Sequence, residues 1–356
     1  MKHPAWYARV AAALAAGALT LSACSSGSDS DDDGGDGGGG GGLPAVASPQ
    51  DVIKKTTEAL DGKKVRMVLL SDANALQQSW ASRAQLMFEN TGIDFEYTVS
   101  NYDNQVLAQQ VQTVIDQKAD ALMLQNSDVS GLATLIQKAQ DAGIYVIVLN
   151  LGSNAQSDAF IGPNWDQMAA DLADRASEDC AGKDSKKVAI ITGFGADTGS
   201  VLFEEGATRA FEDNGMEIVA TQPGQYDPSK AGSIARTILQ QHPDICAFAG
   251  NWDGMMLGVS KVVNDAGKSG SVGVYTTDSS VGACQAIGEG TLTAAVNYGG
   301  GTQMGDSAAA ITKYLLQSGV KAGSSRTATF MGTTIIDKTN YQDPAACYDT
   351  PPGWGS

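Results

Sequence analysis

Residues 244–258 read Asp-Ile-Cys-Ala-Phe-Ala-Gly-Asn-Trp-Asp-Gly-Met-Met-Leu-Gly, and this stretch decides the fold class. Ile245 to Ala249 form a short apolar run of strand length, and helical spacing of apolar residues resumes from Met255 to Val263. The polar residues 251–253 therefore lie on the turn between a strand and a helix. An open α/β sheet binds its ligand at such turns, because the backbone leaves the packed layer at the carboxyl ends of the strands.

The same alternation repeats along the chain in two series. Four strands alternate with three helices from Val65 to Leu149, and five helices alternate with five strands from Asp166 to Asn297. Each series predicts right-handed βαβ units around a parallel sheet, so we expect an α/β protein with two similar doubly wound lobes. A late helix, Thr302 to Ser318, and a last strand, Thr333 to Ile336, must dock on sheets that are already complete. They predict several crossings between the lobes, which form a hinge.

The N-terminal segment is predicted to direct export and anchoring. Lys2 and Arg9 accompany an apolar run, Val10 to Leu21, that is too short to span a bilayer. Residues 21–24, Leu-Ser-Ala-Cys, match the bacterial lipobox, so we expect 1–23 to be a lipoprotein signal peptide and Cys24 to carry the lipid on the outer face of the cytoplasmic membrane. An ordinary secretory signal with an incidental Cys24 is the alternative.

A tether is predicted to follow the lipid over residues 24–48. Residues 25–42 contain only Ser, Asp and Gly, which cannot bury apolar surface, so we expect a disordered, self-repelling segment. Its five aspartates could be interpreted as a metal site, but the glycines impose no coordination geometry, and we expect no metal. Four cysteines remain beyond this segment, Cys180, Cys246, Cys284 and Cys347. In an exported protein they predict two disulfides in one of three connectivities, with buried free thiols as the alternative.

An ordered series of short motifs carries a family resemblance over residues 63–338. The chain is similar to the type I periplasmic binding protein family, specifically the ribose-binding-like sugar-binding lipoproteins that serve ABC importers. The matching motifs are Leu69-Leu70-Ser71, Gln125-Asn126-Ser127, Ala142 to Asn150, Phe160-Ile161-Gly162, Gly206 to Phe211, Ala249-Gly250-Asn251, Asp278, Gly290 to Val296 and Gln303-Met304-Gly305.

The resemblance implies three crossings between the lobes, near 162–163, 299–301 and 330–332. It implies an N-terminal lobe of 49–162 plus 301–331 and a C-terminal lobe of 163–300 plus 332–356. It also implies the disulfide pairs Cys180 with Cys246 and Cys284 with Cys347. The chain would be a monomer.

The resemblance places a ligand between the lobes. Sugars are held by planar polar side chains against hydroxyls and by aromatic faces against C–H surfaces. Asn150, Asn251 and Asp278 are the leading candidates, with helix N-capping as the alternative for Asn251 and Asp278. For the tryptophans the alternative is packing. The ligand-binding candidates are Asp72, Asn74, Gln78, Asn126, Asn150, Trp165, Glu205, Asn251, Trp252, Asp278 and Tyr298.

Two departures from the family pattern bear on the ligand. Asn150-Leu151 stands where an Asp-Arg pair is common, and Ala75 to Gln78 replaces the usual stacking aromatics. An anionic ligand would need the missing arginine, so the sequence favours a neutral hydroxylated or partly cationic molecule.

Other functions fit the sequence less well. The net charge of −17 is opposite to that of a nucleic-acid binder. The turn Gly193 to Gly199 has a misplaced third glycine for a dinucleotide fingerprint. His3 and His242 are the only histidines, so no Ser-His-Asp set forms, and we expect no enzyme and no cofactor. The sequence predicts an importer lipoprotein that delivers a sugar or polyol to an ABC permease and ATPase. The alternatives are a sensor coupled to a membrane signalling protein, a binder of a cationic or aromatic non-sugar molecule, and an exported enzyme.

Overall fold

The computed structural model describes residues 48–128 and 130–348. The predicted signal peptide, the lipidated Cys24 and nearly all of the tether lie outside the described residues. The first group of elements is α1 (Pro49–Leu60), β1 (Lys64–Leu69), α2 (Ala75–Phe88), β2 (Asp94–Val99), α3 (Asn104–Asp116), β3 (Ala121–Leu124), α4 (Ala133–Asp141), β4 (Tyr145–Leu149) and β5 (Ala159–Gly162).

The second group begins with a long helix and repeats the alternation. It comprises α5 (Trp165–Cys180), β6 (Lys187–Thr192), α6 (Thr198–Asp213), β7 (Glu217–Pro223), α7 (Pro228–Gln241), β8 (Ala247–Gly250), α8 (Asp253–Asp265), β9 (Gly273–Thr277), α9 (Val281–Glu289), β10 (Ala294–Asn297), α10 (Thr302–Ser318), β11 (Thr327–Phe330) and β12 (Thr334–Ile336).

The strands form two six-stranded sheets of the same topology. The first has the order β11-β5-β4-β3-β1-β2, and the second has β12-β10-β9-β8-β6-β7. All neighbours in the first sheet are parallel, and in the second only β12 is antiparallel, to β10. The α/β class with two doubly wound lobes is therefore confirmed, except that the last strand reverses direction.

Central strands are buried on both faces. All four residues of β3 and all four of β8 are buried, and β9 is buried throughout. Near-continuous apolar runs of this kind are expected where helices cover both faces of a parallel sheet. The edge strand β2 alternates between exposed and half-buried positions instead. The apolar runs that identified the strands in the sequence are thus the cores of the two lobes.

The chain passes between the sheets three times. It leaves β5 of the first sheet for α5, which packs on α6 and β9 of the second. It returns from β10 to α10, which packs on α2 and β4, and crosses finally from β11 to β12. These crossings agree with the three that the resemblance implied and make a three-segment hinge; the division of every residue into lobes stays a prediction. None of the helices in residues 48–128 and 130–348 is both long and apolar enough to cross a bilayer.

Two disulfides hold the second lobe. Cys180 at the end of α5 bonds to Cys246 just before β8, with 6.1 Å between their Cα atoms, and Cys284 in α9 bonds to Cys347, with 6.2 Å. Both separations are ordinary for a disulfide. The pairing implied by the resemblance is confirmed, and the free-thiol alternative is wrong. The second bridge fixes the C-terminal segment one residue before Tyr348.

Candidate functional site

A cavity lies where the carboxyl ends of the two sheets face each other. Most of its lining residues directly follow a strand or begin a helix, as the topology of an open α/β sheet predicts. The first lobe contributes amides, apolar side chains and the ring of Tyr102, and the second contributes aromatic rings, an amide and a carboxyl group. The lining consists of Leu70, Leu76, Gln77, Tyr102, Gln125, Asn150, Leu151, Trp165, Tyr226, Asn251, Trp252 and Asp278.

Asn150 and Asp278 occupy corresponding places in the two lobes. Asn150 follows β4, Asp278 follows β9, and both have left-handed backbone conformations, with φ of 60° and 67°. Asn and Asp tolerate this conformation better than most side chains, because their short polar groups bond locally. Each is at least 95% buried. The fold therefore turns the chain sharply at the same point of both sheets and leaves a polar side chain there.

Asn251 has one satisfied end and one unsatisfied end. Its Nδ2 donates to Oγ of Ser200 at 3.1 Å and to the hydroxyl of Tyr226 at 3.3 Å. Its Oδ1 has no hydrogen-bond partner although the residue is only 1% exposed. A buried acceptor without a partner is costly, so a donor from a ligand would stabilise it.

Helix capping does not explain the polar residues at these two strand ends. Helix α8 has Trp252 at its N-cap position and no side-chain cap, and α9 is capped by Ser280, whose Oγ accepts from the backbone N–H of Ala283. Neither Asn251 nor Asp278 caps a helix. The capping alternative is therefore wrong for both residues, and their ligand-binding role stays a prediction.

Asp278 is a buried carboxyl in a ring of hydroxyls. Burial, and then the nearby Asp253, raises its pKa to about 8, while hydrogen bonds from the hydroxyls of Tyr298 and Tyr348 lower the pKa in part. Its Oδ1 has no hydrogen-bond partner. Asp253 is buried too, and its pKa is raised by burial although its Oδ2 accepts from the backbone N–H of Ser280 at 2.8 Å. A carboxyl so placed is protonated at neutral pH unless a cation or donor compensates it.

Aromatic rings from both lobes meet across the cavity. The ring of Tyr102, after β2, stacks on that of Tyr226, after β7, with 6.1 Å between centroids and 26° between planes. Tyr226 also contacts Phe194 and Trp252 edge to face, at 5.6 Å and 5.9 Å. Trp165 donates from Nε1 to the backbone oxygen of Asn150 at 2.9 Å. Aromatic faces of this kind can stack on the C–H surfaces of a sugar ring.

Asp197 supports Tyr226 from behind. Its Oδ2 accepts from the Tyr226 hydroxyl at 3.0 Å and from Oγ of Ser200 at 2.8 Å, and its Oδ1 accepts from the N–H of Ser200 at the start of α6. Burial raises the pKa of Asp197 to about 6. A Cβ at Gly193 would lie 2.0 Å from the Tyr226 ring. The glycine at position 193, in the turn between β6 and α6, therefore makes room for the tyrosine.

Sequence reasoning missed the two tyrosines of the stack. A local signal does exist, because the turns Asn101-Tyr102-Asp103 and Gln225-Tyr226-Asp227 both place a tyrosine before an aspartate that caps a helix. The sequence analysis also did not select Gln77 and Gln125 as ligand-binding candidates. Oε1 of Gln125 accepts from the N–H of Leu70 at 3.1 Å and from Nε2 of Gln77 at 3.4 Å, which leaves Oε1 of Gln77 without a partner.

Five of the eleven predicted ligand residues line the cavity: Asn150, Trp165, Asn251, Trp252 and Asp278. The structure does not bring the others into the lining, and the side chains of three of them form local hydrogen bonds. Asn74 caps α2, and Nε2 of Gln78 donates to the backbone oxygen of Asp72. Asn126 closes a turn with Asp128 through both of its side-chain atoms, at 2.6 and 3.2 Å.

Glu205 and Tyr298 fall outside the lining for different reasons. Glu205 is exposed on the outer side of α6, because that helix begins at Thr198 and Glu205 lies in its third turn. Tyr298 is 1% exposed and lies behind the lining, where it hydrogen-bonds to Asp278 and its hydroxyl is 3.5 Å from Oδ1 of Asn150. It therefore connects the two strand-end residues rather than facing the cavity.

Comparison with known proteins identifies the family. Residues 65–320 match the sequence profile of the periplasmic binding protein domain. The chain belongs to this family. The D-ribose/D-allose-binding protein of Pseudomonas aeruginosa is 27% identical over 281 residues, which cover 76% of this chain and 81% of that protein. The D-allose-binding periplasmic protein of Escherichia coli is 36% identical over 119 residues, 33% of this chain and 38% of that one.

Solved structures share the fold of this periplasmic binding protein. A glucose-galactose binding protein from Geobacillus stearothermophilus aligns with a TM-score of 0.72 and 21% identity, covering 79% of this chain and 99% of that one. A solute-binding protein from Bacillus halodurans with bound myo-inositol aligns with a TM-score of 0.73 and 20% identity, covering 81% and 99%. At these identities the likeness establishes the two-lobed architecture.

Proposed function

We propose that this periplasmic binding protein is the solute-binding component of an ABC importer and captures a small sugar or polyol between its lobes. One observation carries the proposal. The cavity between the two sheets combines buried hydrogen-bond acceptors without partners, such as Oδ1 of Asn251, with the aromatic faces of Tyr102, Tyr226 and Trp252. Acceptors take hydroxyl protons and aromatic faces take C–H surfaces, which is how a polyhydroxylated ring is held.

The relatives support a sugar ligand. The proteins of Pseudomonas aeruginosa and Escherichia coli are named for ribose and allose, and a ribose import binding protein of Bacillus subtilis is 28% identical over 160 residues, 44% of this chain and 51% of that one. The departures from the family pattern at Asn150 and at the start of α2 favour a ligand that needs neither an arginine partner nor stacking aromatics at those two places.

The dimensions of the cavity fit a closed conformation. Its volume is about 30 Å³, enough for one or two water molecules and far less than a six-carbon sugar. A ligand can therefore enter only when the hinge opens or the tyrosines move. Binding from both lobes would favour closure, because the ligand contacts both faces only in the closed form.

The remaining parts of the importer assignment rest on the sequence. Delivery to a permease and ATPase follows from the family resemblance, and attachment to the outer face of the cytoplasmic membrane follows from the lipobox at Cys24. Both fit a binding protein that holds its ligand near a transporter.

A thermal-shift screen of neutral sugars and polyols tests the proposal. A ligand that binds only the folded protein adds about 2.7 kcal/mol to the free energy of unfolding when its concentration is a hundred times Kd. The melting temperature rises accordingly. We expect a small set of sugars to raise it, and calorimetric titration to give one site per chain. A panel of pentoses, hexoses and polyols without any shift would contradict the sugar-binding function.

A further inference from the structure

The polar atoms left unpaired in the cavity lining are of one kind. Oε1 of Gln77, Oδ1 of Asn251 and Oδ1 of Asp278 have no hydrogen-bond partner, and each residue is at most 3% exposed. The two amide oxygens are acceptors, and the carboxyl oxygen of Asp278 is an acceptor once that group has lost its proton. A ligand that satisfies them must donate at least three hydrogen bonds from one small molecule, because an unpaired buried acceptor costs about 1–3 kcal/mol.

The buried acidic side chains around the second-lobe half of the cavity have no basic partner. Asp197, Asp253 and Asp278 are each at most 2% exposed. Among residues 48–128 and 130–348, no Lys or Arg forms an ion pair with any of them. None of the described lining residues is basic. Buried carboxylates are normally paired with a cation or bound to a metal.

The carboxylates are not placed as metal ligands. In the part of the chain that the structure describes, no three His, Cys, Asp or Glu side chains are grouped to hold a metal ion. The groups around Asp278 are Asp253 and the hydroxyls of Tyr298 and Tyr348, and these hydroxyls leave Oδ1 free. The free oxygen of Asp278 thus accepts a donor from the cavity side, and a positively charged donor gives a bond roughly twice as strong as a neutral one.

We propose that the ligand is a polyhydroxylated molecule bearing a protonated amino group, and that this ammonium donates to Oδ1 of Asp278. This inference rests on the proposed function and names its substrate class. Hydroxyls of the same ligand donate to Asn251 and Gln77, and the rings of Tyr226 and Trp252, which are in edge-to-face contact, both line the cavity that the ammonium would enter. A sugar acid would find no Lys or Arg in the described lining to pair with its carboxylate.

The protonation state of Asp278 gives the inference a second signature. With a pKa of about 8, Asp278 holds a proton at pH 6, and an ammonium can pair with it only after that proton leaves for the solvent. Binding of an amino ligand therefore releases about one proton at pH 6, and its affinity rises by about tenfold per pH unit below the pKa values of both groups. A neutral sugar needs no such release.

Matched pairs that differ only in hydroxyl versus amine test the proposal. The pairs are D-glucose with D-glucosamine, D-galactose with D-galactosamine, D-mannose with D-mannosamine, and D-glucitol with D-glucamine. Titration calorimetry of the full chain in buffers of different ionisation enthalpy gives both the affinity and the proton count. We expect an amino member to bind about tenfold or more tightly than its hydroxyl partner at pH 7.

Two variants separate the Asp278 contact from general charge. Asp278→Asn keeps the shape but not the charge, and should reduce the amino member to the affinity of its hydroxyl partner and abolish proton release. Glu212→Gln removes one charge from an exposed position of α6 and should leave the ratio unchanged. The proton count on the unmodified chain keeps the test valid even if Asp278→Asn folds poorly.

The outcomes distinguish the inference from the proposed function. If neutral sugars bind and no amino member exceeds its hydroxyl partner, the amine inference is overturned and the sugar-binding function stands. If neither half of any pair binds, both are overturned. Tighter binding of an amino member that persists in Asp278→Asn would also overturn the inference, because the charge would then be recognised elsewhere.

Discussion

Asn150 and Asp278 end corresponding strands in the two lobes with the same left-handed backbone, yet one is an amide and the other an ionisable carboxyl. The polar side chains that surround these two residues differ in the same way. The first lobe presents the amides of Gln77 and Gln125, whereas the second presents Asp278 backed by buried Asp197 and Asp253. The repeated topology dictates the backbone, and the side chains on it vary independently. The pH-dependent part of the site therefore lies in the second lobe.

The largest expected difference between the lobes is in the pH dependence of stability. The pKa of Asp278 is raised to about 8 in the folded chain, so the folded state keeps a proton that the unfolded state releases above about pH 4. Stability falls as pH rises through this window and levels off above pH 8. Asp197, with a pKa of about 6, contributes only to the lower part of the window.

Urea denaturation between pH 6 and pH 7.5 isolates the contribution of Asp278. The unmodified chain should lose up to about 1.4 kcal/mol per pH unit more than Asp278→Asn. The reciprocal variant, Asn150→Asp, puts a carboxyl at the corresponding buried position of the first lobe and should add a slope of the same sign. Equal slopes for the unmodified chain and Asp278→Asn would show that Asp278 is ionised in the folded state.

The second expected difference is between Asn251 and Gln125, which follow the corresponding strands β8 and β3. Asn251→Ala should weaken ligand affinity by about 1–3 kcal/mol with little change in the melting temperature, because Ser200 and Tyr226 keep their bonds to Asp197. Gln125→Ala should instead lower the melting temperature, because it leaves the buried N–H of Leu70 unpaired. Calorimetry and thermal melts of both variants check this, and unchanged affinity in Asn251→Ala would contradict its role.

A smaller difference is expected between the two stacked tyrosines. Tyr226→Phe removes a hydroxyl bonded to Asp197 and Asn251 and should cost about 1–3 kcal/mol of unfolding free energy. Tyr102→Phe removes a hydroxyl oxygen that accepts from the Gln77 side chain and should cost about 0.5–1.5 kcal/mol. Both variants keep the ring stack. A greater loss in Tyr102→Phe would contradict the central place of the Asp197 cluster.

The smallest expected effect is at Glu205. Because its side chain is exposed on α6, Glu205→Gln should change both affinity and stability by less than about 0.5 kcal/mol. The same titration series measures it. A larger loss of affinity would return Glu205 to the binding site and place the ligand further along α6.

Periodicity made the main elements predictable, because buried strands of parallel sheets are continuous apolar runs. It failed for β5 and β11. The four residues of β11, Thr-Ala-Thr-Phe, are mostly exposed at the sheet edge and are specified by pairing with β5 rather than by apolar pattern. β5 is a four-residue strand between loops.

Site residues were predictable where they directly follow a strand of the sheet. Asn150, Asn251 and Asp278 follow strands, so the sheet topology brings them to one edge. The matching Tyr-Asp turns could have drawn attention to Tyr102 and Tyr226, but the stacking of their rings depends on how the two lobes meet, which the turns do not encode. Glu205 was selected from the family pattern rather than from the sheet topology; its exposure on α6 argues against a place in the lining, and its role stays a prediction.

Closure of the lobes around a ligand is the central claim, and small-angle X-ray scattering tests it most directly. With a saturating sugar that raises the melting temperature, the radius of gyration should fall below that of the ligand-free chain, and a sugar that causes no melting shift should leave it unchanged. An identical radius with and without the bound sugar would contradict binding by closure between the two lobes.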